Sequence, residues 1–468
     1  MMWIVLWTAL AAGEEGGFDT LFSGKTMRFD YYHNGTAGEE HVSPREFRLE
    51  HEWAGSRVRL IDDTNLGKYL FELIDSATNR VVYSRGFCSP YGEWETTGEA
   101  LRGSWRTFHE SQRFPEPRAK AQVVIKKRAA DGAFREIFSM VFEPESRFVN
   151  RSKPAPRGVL FTVLENGPPE FKVDLLLLAE GYTGEEAEKF RSDLSRLTGA
   201  LFATEPFRSR KSAFNVRALH VPAAESGISN PRAGVWRASP LGASFNSFDS
   251  DRYVLTFADQ ELREVASQAL YDALVIVCNT RKYGGGGIFN MWCTCAADSS
   301  EANYLLSHEF GHAFAGLGDE YYGSPVAYEE FTPAASEPWE PNVTALLDPA
   351  KLKWRDLVET GTPVPTPWNQ ERYDEVSRRY ERERAAMLQR DAPEAEVEAL
   401  FAKVKSATGP MLASEPYARK VGAFEGASYQ AKGLYRPMTD CIMFTRNPEG
   451  FCPVCRRAIE RVIDLYAQ

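Results

Sequence analysis

The sequence is poor in histidine, and its cysteines do not form a recognisable disulfide framework. Only 7 of the 468 residues are histidine, and 7 are cysteine. An odd number of cysteines spread over so long a chain is not a disulfide scaffold. Because histidine is so scarce, two histidines at metal-ligand spacing are informative.

The chain also lacks an excess of positive charge and, after residue 17, a long apolar run. It has 55 Lys and Arg residues and 65 Asp and Glu residues, which gives a net charge of −10. That balance argues against a nucleic-acid-binding protein. No run beyond residue 17 is long and apolar enough to span a bilayer. We therefore expect neither a nucleic-acid partner nor a transmembrane segment.

The N-terminal residues are the apolar exception. Residues 1–12, MMWIVLWTALAA, are typical of the apolar part of a signal peptide that ends in small residues, although no Lys or Arg precedes them. We predict a signal peptide over residues 1–17 and export to the periplasm, the cell surface or the medium. The alternative is a truncated or mis-started N-terminus.

Residues 18–150 carry the pattern of strands. Alternating segments at 122–128 and 134–142 flank Asp131-Gly132, which is a strong hairpin signal. No long helical period interrupts this region, so we predict an all-β domain, an antiparallel β-sandwich. The proline-containing residues 151–156 predict a linker.

Residues 157–468 change to an alternation of strands and helices, which predicts an α/β domain. Within it, residues 324–432 look like an insertion that carries a charged helix at 369–388. The predicted strands are 159–164, 173–179, 214–221 and 273–279, and the predicted helices are 183–201 and 260–271.

The most informative motif lies in the middle of this domain. His308, Glu309 and His312 stand in an H-E-x-x-H pattern, which chance would produce roughly 0.01 times in such a chain. On a helix the two imidazoles share one face and can bind one zinc ion, with Glu309 beside it to act on a water. Asp298 and Ser299 predict the start of that helix.

A third ligand is expected from Asp319 or Glu320. Gly316 and Gly318 let the chain break and fold back, so that one of these carboxylates reaches the metal. The shorter side chain of Asp319 suits a tight turn better. The arrangement resembles that of metzincins, although glycine and ligand each come one residue late and the ligand is acidic.

A glycine run precedes the motif. We predict that Gly285 and Gly286 belong to an edge strand whose bare backbone lets an extended peptide lie alongside. A flexible surface turn is the alternative.

The C-terminal segment carries the second signal. Met443 in a Cys-Ile-Met context resembles the Met-turn beneath the metal of metzincins. Cys452 and Cys455 match a redox pair, but no βαβ unit surrounds them, so a disulfide or a small metal knot is favoured. We expect a disulfide from Cys441 to Cys452 or Cys455.

Taken together, these segments resemble the IgA-peptidase family of bacterial secreted zinc metallopeptidases. The similar stretches are Ala179–Thr183, Ser212–Asn215, Tyr283–Gly287, His308–Tyr321, Gly433–Pro437, Cys441–Met443 and Phe451–Cys455. They cover most of the chain from residue 170 onward, and the β-rich region matches that family's N-terminal domain in size and position. The resemblance implies a metzincin-like peptidase domain that follows an all-β sandwich domain. It does not imply that antibody is the substrate.

The expected activity is hydrolysis of peptide bonds in extracellular proteins, with one zinc ion and Glu309 as the general base. The expected partner is a protein or peptide substrate, with host or mucosal glycoproteins among the candidates. Many metzincins have a tyrosine two residues after the Met-turn methionine, but Thr445 stands there, so Tyr435 or Arg436 is the candidate oxyanion donor. Two alternatives stay open: a zinc peptidase with a distant glutamate ligand, and a non-catalytic binding protein with a structural zinc site.

Overall fold

The computed structural model describes residues 17–323, 336–390, 392–446 and 450–467. Residues 1–16 of the predicted signal peptide and residues 324–335 of the predicted insertion lie outside this part of the chain. Within it, no helix is both long and apolar enough to cross a membrane.

The N-terminal region consists of two four-stranded sheets, with strand orders β5-β1-β2-β8 and β4-β3-β6-β7. The predicted hairpin is confirmed, because β6 and β7 pair antiparallel on either side of Asp131-Gly132. In chain order the elements are α1 (Phe18–Leu21), β1 (Phe22–Gly35), β2 (Glu40–Glu52), β3 (Tyr69–Asp75), β4 (Arg80–Phe87), α2 (Pro90–Trp94), α3 (Gly98–Leu101), β5 (Arg106–Pro117), β6 (Ala121–Arg128), β7 (Phe134–Phe142) and β8 (Val149–Asn150).

Aromatic side chains from both sheets form one core. The rings of Phe71 and Phe114 are 5.1 Å apart, and those of Phe47 and Phe142 are 4.5 Å apart. Burial of such large rings supplies most of the favourable free energy of this region. One pairing differs from the antiparallel prediction, since the short strand β8 pairs parallel to β2.

The second region is built on a six-stranded mixed sheet of order β13-β14-β12-β10-β11-β9. Four inner strands are parallel, and β9 and β13 run antiparallel at the two edges. Its elements are β9 (Val159–Leu164), β10 (Val173–Glu180), α4 (Ala187–Leu201), β11 (Phe214–His220), α5 (Asp259–Ala266), β12 (Ala273–Cys278), β13 (Gly285–Ile288), β14 (Trp292–Ala296) and α6 (Ala302–Ala315). The predicted strands are confirmed, and β10 is buried along its whole length, as its apolar run requires.

Two predicted helix boundaries are wrong. The helix α5 ends at Ala266, five residues before the predicted end at 271. The helix α6 begins at Ala302 after the N-cap residue Glu301, and Asp298 instead forms an ion pair with Lys189 at 2.9 Å. The capping box predicted at Thr183 and Glu186 is present.

The remaining elements follow α6 in the chain. They are α7 (Gln370–Gln389), α8 (Glu394–Ala413), β15 (Phe424–Ala427), β16 (Gln430–Arg436) and α9 (Pro453–Tyr466). The helices α7 and α8 contact each other, and β15 and β16 form a two-stranded hairpin.

The seven cysteines are all buried free thiols, so the predicted disulfide is not formed.

A buried polar interface joins the two regions. The hydroxyl of Ser111 in β5 donates a hydrogen bond to Asp259 at 2.7 Å and accepts one from Arg263 at 2.9 Å. The guanidinium of Arg113 lies 3.7 Å from the centre of the Tyr271 ring and donates to the Tyr271 carbonyl at 2.9 Å. Because these hydrogen bonds and this ring contact cross the boundary, the β-rich region is attached to the α/β region through α5 and Tyr271.

His33 is a core residue of the first region. Its two ring nitrogens lie 2.9 Å from Glu110 and 2.8 Å from Glu40, and only 1% of its surface is exposed. Burial alone would lower the pKa of His33, but the Glu110 and Glu40 carboxylates raise it to about 9. The folded protein therefore holds this imidazole as a cation between two carboxylates.

This arrangement predicts a pH-dependent stability. Because the folded pKa of His33 lies above the unfolded value, its stabilisation is complete below about pH 6.5 and is lost as the pH rises to about 9, a loss of roughly 3 kcal/mol. Urea unfolding at pH 6.5 and pH 9 should show a smaller pH dependence for His33→Gln than for the wild type. His41 contacts Glu39 at 2.9 Å but is exposed, so His41→Gln is the matched control and should keep the wild-type dependence. Equal pH dependence in all three proteins would contradict this assignment.

Candidate metal centre

The helix that carries the H-E-x-x-H pattern lies directly against the edge strand β13. A Cβ atom added at Gly287 would lie 2.5 Å from the Glu309 carbonyl oxygen and 2.9 Å from the His312 Cβ. One added at Gly285 would lie 3.0 Å from the Glu309 Cγ. The glycines are therefore needed for the close approach of helix and strand. The edge strand predicted from the glycine run is confirmed.

The two glycines proposed to contact substrate are not equivalent. Gly285 already donates to the Arg252 carbonyl at 3.2 Å and accepts from the Val254 N–H at 3.0 Å. Gly286 pairs with Thr294, so its main-chain groups face β14. By the same alternation, Gly287 turns its N–H and C=O to the open edge, beside the cavity described below.

Three predicted ligand residues meet at one point. The Nε2 atoms of His308 and His312 are 3.1 Å apart, and each lies 3.2 Å from the Asp319 Oδ1. Gly316, with φ of 61°, ends α6 in the left-handed conformation and turns the chain back towards the histidines. Ligand atoms at about 2.1 Å from a tetrahedral zinc lie about 3.4 Å apart, so the group has the size of a metal site.

Hydrogen bonds fix the direction of both imidazoles. The Nδ1 of His308 lies 3.1 Å from the Ile442 carbonyl oxygen, and the Nδ1 of His312 lies 2.5 Å from that of Leu317. Each Nδ1 must donate its proton to a carbonyl, so each Nε2 presents a lone pair. Among the described residues, the buried Asp319 Oδ1 has no hydrogen-bond partner. Three acceptors thus converge, and a cation between them would satisfy all three.

These side chains and Glu309 also shift one another's pKa values. Burial alone would lower the pKa of His312, but the Asp319 carboxylate raises it to about 9. Burial would raise the pKa of Asp319, but the two imidazoles hold it below the usual range. Burial raises the pKa of Glu309, although the two histidines oppose that shift. Glu309 is therefore a stronger base than an exposed carboxylate.

The tip of the β15–β16 hairpin holds Asp319 from the other side. The Tyr429 hydroxyl donates to the Asp319 Oδ2, and the Ser428 N–H donates to the Asp319 carbonyl at 2.9 Å. Ser428 and Tyr429 have φ angles of 45° and 66°, so the tip is a tight turn without glycine. Neither residue is predicted from the sequence, because non-glycine residues in this conformation leave no sequence signal. The insertion predicted over residues 324–432 includes most of this hairpin.

Met443 lies beneath the helix. It is completely buried, and a Cβ atom added at Gly311 would lie 3.3 Å from the Met443 Sδ. The adjacent Ile442 carbonyl accepts from His308, and the Met443 carbonyl accepts from the Glu320 N–H at 2.8 Å. The same turn therefore orients one histidine and the segment that bears Asp319.

Three alternative site residues lie elsewhere. The side chain of Glu320 is buried away from the histidines, with its Oε1 2.9 Å from Asn342 and 3.2 Å from the Cys455 Sγ. Tyr435 and Arg436 do not line the cavity wall formed by the described residues. Arg436 is completely buried, donates to the carbonyls of Glu425 and Gly426 and lies 3.9 Å from the centre of the Phe444 ring. Neither residue is therefore in position to donate to a substrate carbonyl in this arrangement.

A cavity of about 1670 Å³ opens beside the three converging side chains. Its walls come from α2 and α3 of the first region, the loop around residues 244–257, and the helices α7 and α8. Three arginines surround Phe401 on one wall, with guanidinium-to-ring distances of 5.4 Å for Arg252, 5.5 Å for Arg384 and 3.5 Å for Arg446. The cavity can hold a segment of polypeptide, and the three arginines place positive charge on this wall.

Fold and site together define a two-region protein whose α/β part carries a buried group able to bind a metal at the end of a large cavity. The chain matches the family model of IgA Peptidase M64 over residues 161–463 and that of the Peptidase M64 N-terminus over residues 17–139. The first match covers more than half of the chain, so the protein is a peptidase of the IgA peptidase M64 family. This confirms the resemblance found in the sequence. No curated protein matches the chain.

The hairpin contact predicts an effect on metal affinity. Tyr429→Phe removes the hydroxyl that donates to Asp319, so the dissociation constant for zinc should rise by roughly 10–100-fold. Competition with a chromogenic chelator measures it. Tyr435→Phe removes a hydroxyl outside the cavity and should leave the affinity unchanged. Equal affinities for Tyr429→Phe and the wild type would contradict a role for the hairpin.

The close helix–strand contact makes a second prediction. Gly287→Ala adds a methyl group against backbone atoms of α6 and should lower the free energy of unfolding by roughly 1–3 kcal/mol, and zinc content should fall as well. Gly199 lies on the exposed face of α4 with no atom near its Cβ position, so Gly199→Ala should stabilise by up to about 1 kcal/mol. Urea unfolding and metal analysis of both variants provide the comparison. A Gly287→Ala protein as stable as the wild type would exclude the proposed reason for the glycine.

Proposed function

We propose that this protein is a zinc-dependent endopeptidase that hydrolyses peptide bonds of extracellular proteins. The observation that carries the proposal is the convergence of two imidazole Nε2 atoms and the Asp319 Oδ1, each 3.1–3.2 Å from the others, next to Glu309 at the end of a large cavity. The donor set of two neutral imidazoles and one carboxylate suits zinc in a catalytic site, where a fourth position stays open.

His308, His312 and Asp319 would hold the ion, and Glu309 would lie beside the open position. When bound, zinc supplies Lewis acidity, which acidifies a water and polarises the substrate carbonyl. Glu309 removes a proton from the attacking water and later transfers it to the leaving amine. Burial makes the Glu309 carboxylate more basic than an exposed one, as a proton acceptor requires.

We further propose that the α/β region is metzincin-like and that the N-terminal region is a β-sandwich. The glycine-dependent break after α6 and the buried Met443 beneath Gly311 support the first assignment. The core shared by the two four-stranded sheets supports the second. Asp319 stands where metzincins have a histidine, so this protein departs from the common pattern in its third ligand. Because Asp319 lies beside both histidines, its position also favours it as the third metal ligand over a glutamate from a distant part of the chain.

The substrate would bind as an extended segment along β13. Gly287 offers one N–H and one C=O at the open edge, so main-chain pairing would begin there. The three arginines around Phe401 would favour acidic residues in the bound segment. An exported enzyme of this kind would meet extracellular proteins, and host or mucosal glycoproteins are candidate substrates.

Replacement of the general base tests the mechanism. Glu309→Gln should lower the rate of casein or mucin cleavage by roughly 10²–10⁴-fold while retaining one zinc ion at the site. A chelator should abolish wild-type cleavage, and added zinc should restore it. Glu301→Gln, at the start of the same helix, is the control and should cleave normally. Undiminished proteolysis by zinc-loaded Glu309→Gln would exclude Glu309 as the base.

A further inference from the structure

A second group of metal-binding side chains lies behind the first, and the proposed peptidase mechanism does not use it. Glu320, Cys441, Cys452 and Cys455 are all buried, and one ligand atom from each lies within 4.8 Å of those of the other three. We propose that this group is a second, structural metal site that binds one zinc ion through three thiolates and one carboxylate.

The spacing of the ligand atoms fits a single ion. The Cys441 and Cys455 Sγ atoms are 3.9 Å apart, and the Glu320 Oε1 is 3.2 Å from the Cys455 Sγ. Two sulfurs bound to one tetrahedral zinc at about 2.3 Å lie about 3.8 Å apart. The sulfur atoms of a disulfide are separated by only about 2.05 Å. The 3.9 Å between the Cys441 and Cys455 sulfurs therefore matches two thiolates bound to one zinc ion, and it is too long for a disulfide bond.

Two main-chain N–H groups point at sulfur atoms of the cluster. The Cys452 N–H donates to the Cys441 Sγ at 3.3 Å, and the Cys455 N–H donates to the Cys452 Sγ at 3.5 Å. Cys452 is the N-cap of α9, a 14-residue helix whose N-terminal dipole stabilises negative charge. Main-chain donors directed at sulfur are typical of metal sites in which two cysteines are separated by two residues.

Glu320 provides the independent observation that points to a cation. Its side chain is completely buried, and its Oε2 has no hydrogen-bond partner among the described residues. A buried carboxylate oxygen without a donor is costly, and a metal ion removes that cost. Thiolate donors select zinc over magnesium or calcium, and the four ligands complete its coordination, which is the mark of a structural site.

The site would join the start of α9 to two parts of the chain that build the first site. Glu320 follows Asp319, Cys441 precedes the turn of Ile442 and Met443, and Cys452 and Cys455 begin α9. Binding of the ion would displace the three thiol protons to solvent, with no oxidation or reduction. The fixed ion would then hold the Asp319 segment and the Met443 turn in register. This inference does not depend on peptidase activity.

The experiment compares metal content in protein purified under reducing conditions. The wild type should carry two zinc ions per chain. His308→Ala/His312→Ala and Cys452→Ala/Cys455→Ala should each carry one. Cys88→Ala/Cys278→Ala removes two buried thiols outside the cluster and should carry two. Cobalt replacement gives a second readout, because thiolate-to-cobalt charge-transfer absorption should persist in the histidine variant and disappear in the Cys452→Ala/Cys455→Ala variant.

The histidine variant decides the question even if the cysteine variant does not fold. One tightly held ion with the thiolate–cobalt absorption in that variant supports the proposal. No ion in that variant, or an ion without the thiolate absorption, overturns it. Mass spectrometry of alkylated, unreduced protein that finds Cys441 bonded to Cys452 or Cys455 also overturns it. If the wild type carries one ion with the thiolate absorption, the second site stands and the proposed catalytic zinc fails.

Discussion

The structure around α6 depends on one electrostatic constraint, the convergence of three acceptor atoms on one point. His308, His312 and Asp319 can be held 3.1–3.2 Å apart only because other groups fix the far side of each ligand. Carbonyl groups of Ile442 and Leu317 fix the imidazoles, and the Tyr429 hydroxyl fixes the carboxylate. The glycines of β13 and the turn at Gly316 are consequences of the same constraint, since a bulkier backbone would move the helix or the third ligand.

The walls of the cavity come from parts of the chain that are far apart in sequence. The N-terminal region contributes α2 and α3, and α7 and α8 contribute the facing wall. The N-terminal region is attached through a buried hydrogen bond at Ser111 and through the Arg113 guanidinium, which lies over the Tyr271 ring. It is therefore part of the binding surface, which gives a physical reason for its occurrence together with the peptidase domain in one chain.

Sequence reasoning found the elements whose signal is local. The run of apolar residues at 173–179 predicts a buried strand, and the two histidines four residues apart predict their common face. Side-chain length favours Asp319 over Glu320, and the structure brings Asp319 to the histidines. The role of Tyr429 could not be predicted, because a hairpin 110 residues beyond Asp319 meets it only through the tertiary fold. The start of α6 was misplaced since Asp298 forms a tertiary ion pair with Lys189 in preference to a cap.

Asp319 and Glu320 are neighbours whose side chains serve opposite sides of one extended segment. The first reaches the histidines, and the second lies among the cysteines. The two clusters therefore fix both the order of these acidic residues and the lengths of their side chains. Exchange of the two residues would deliver a carboxylate that is too long to one side and one that is too short to the other. Loss of a single residue between the glycine turn and this pair would reverse which carboxylate faces which cluster, so the spacing should tolerate no change in length.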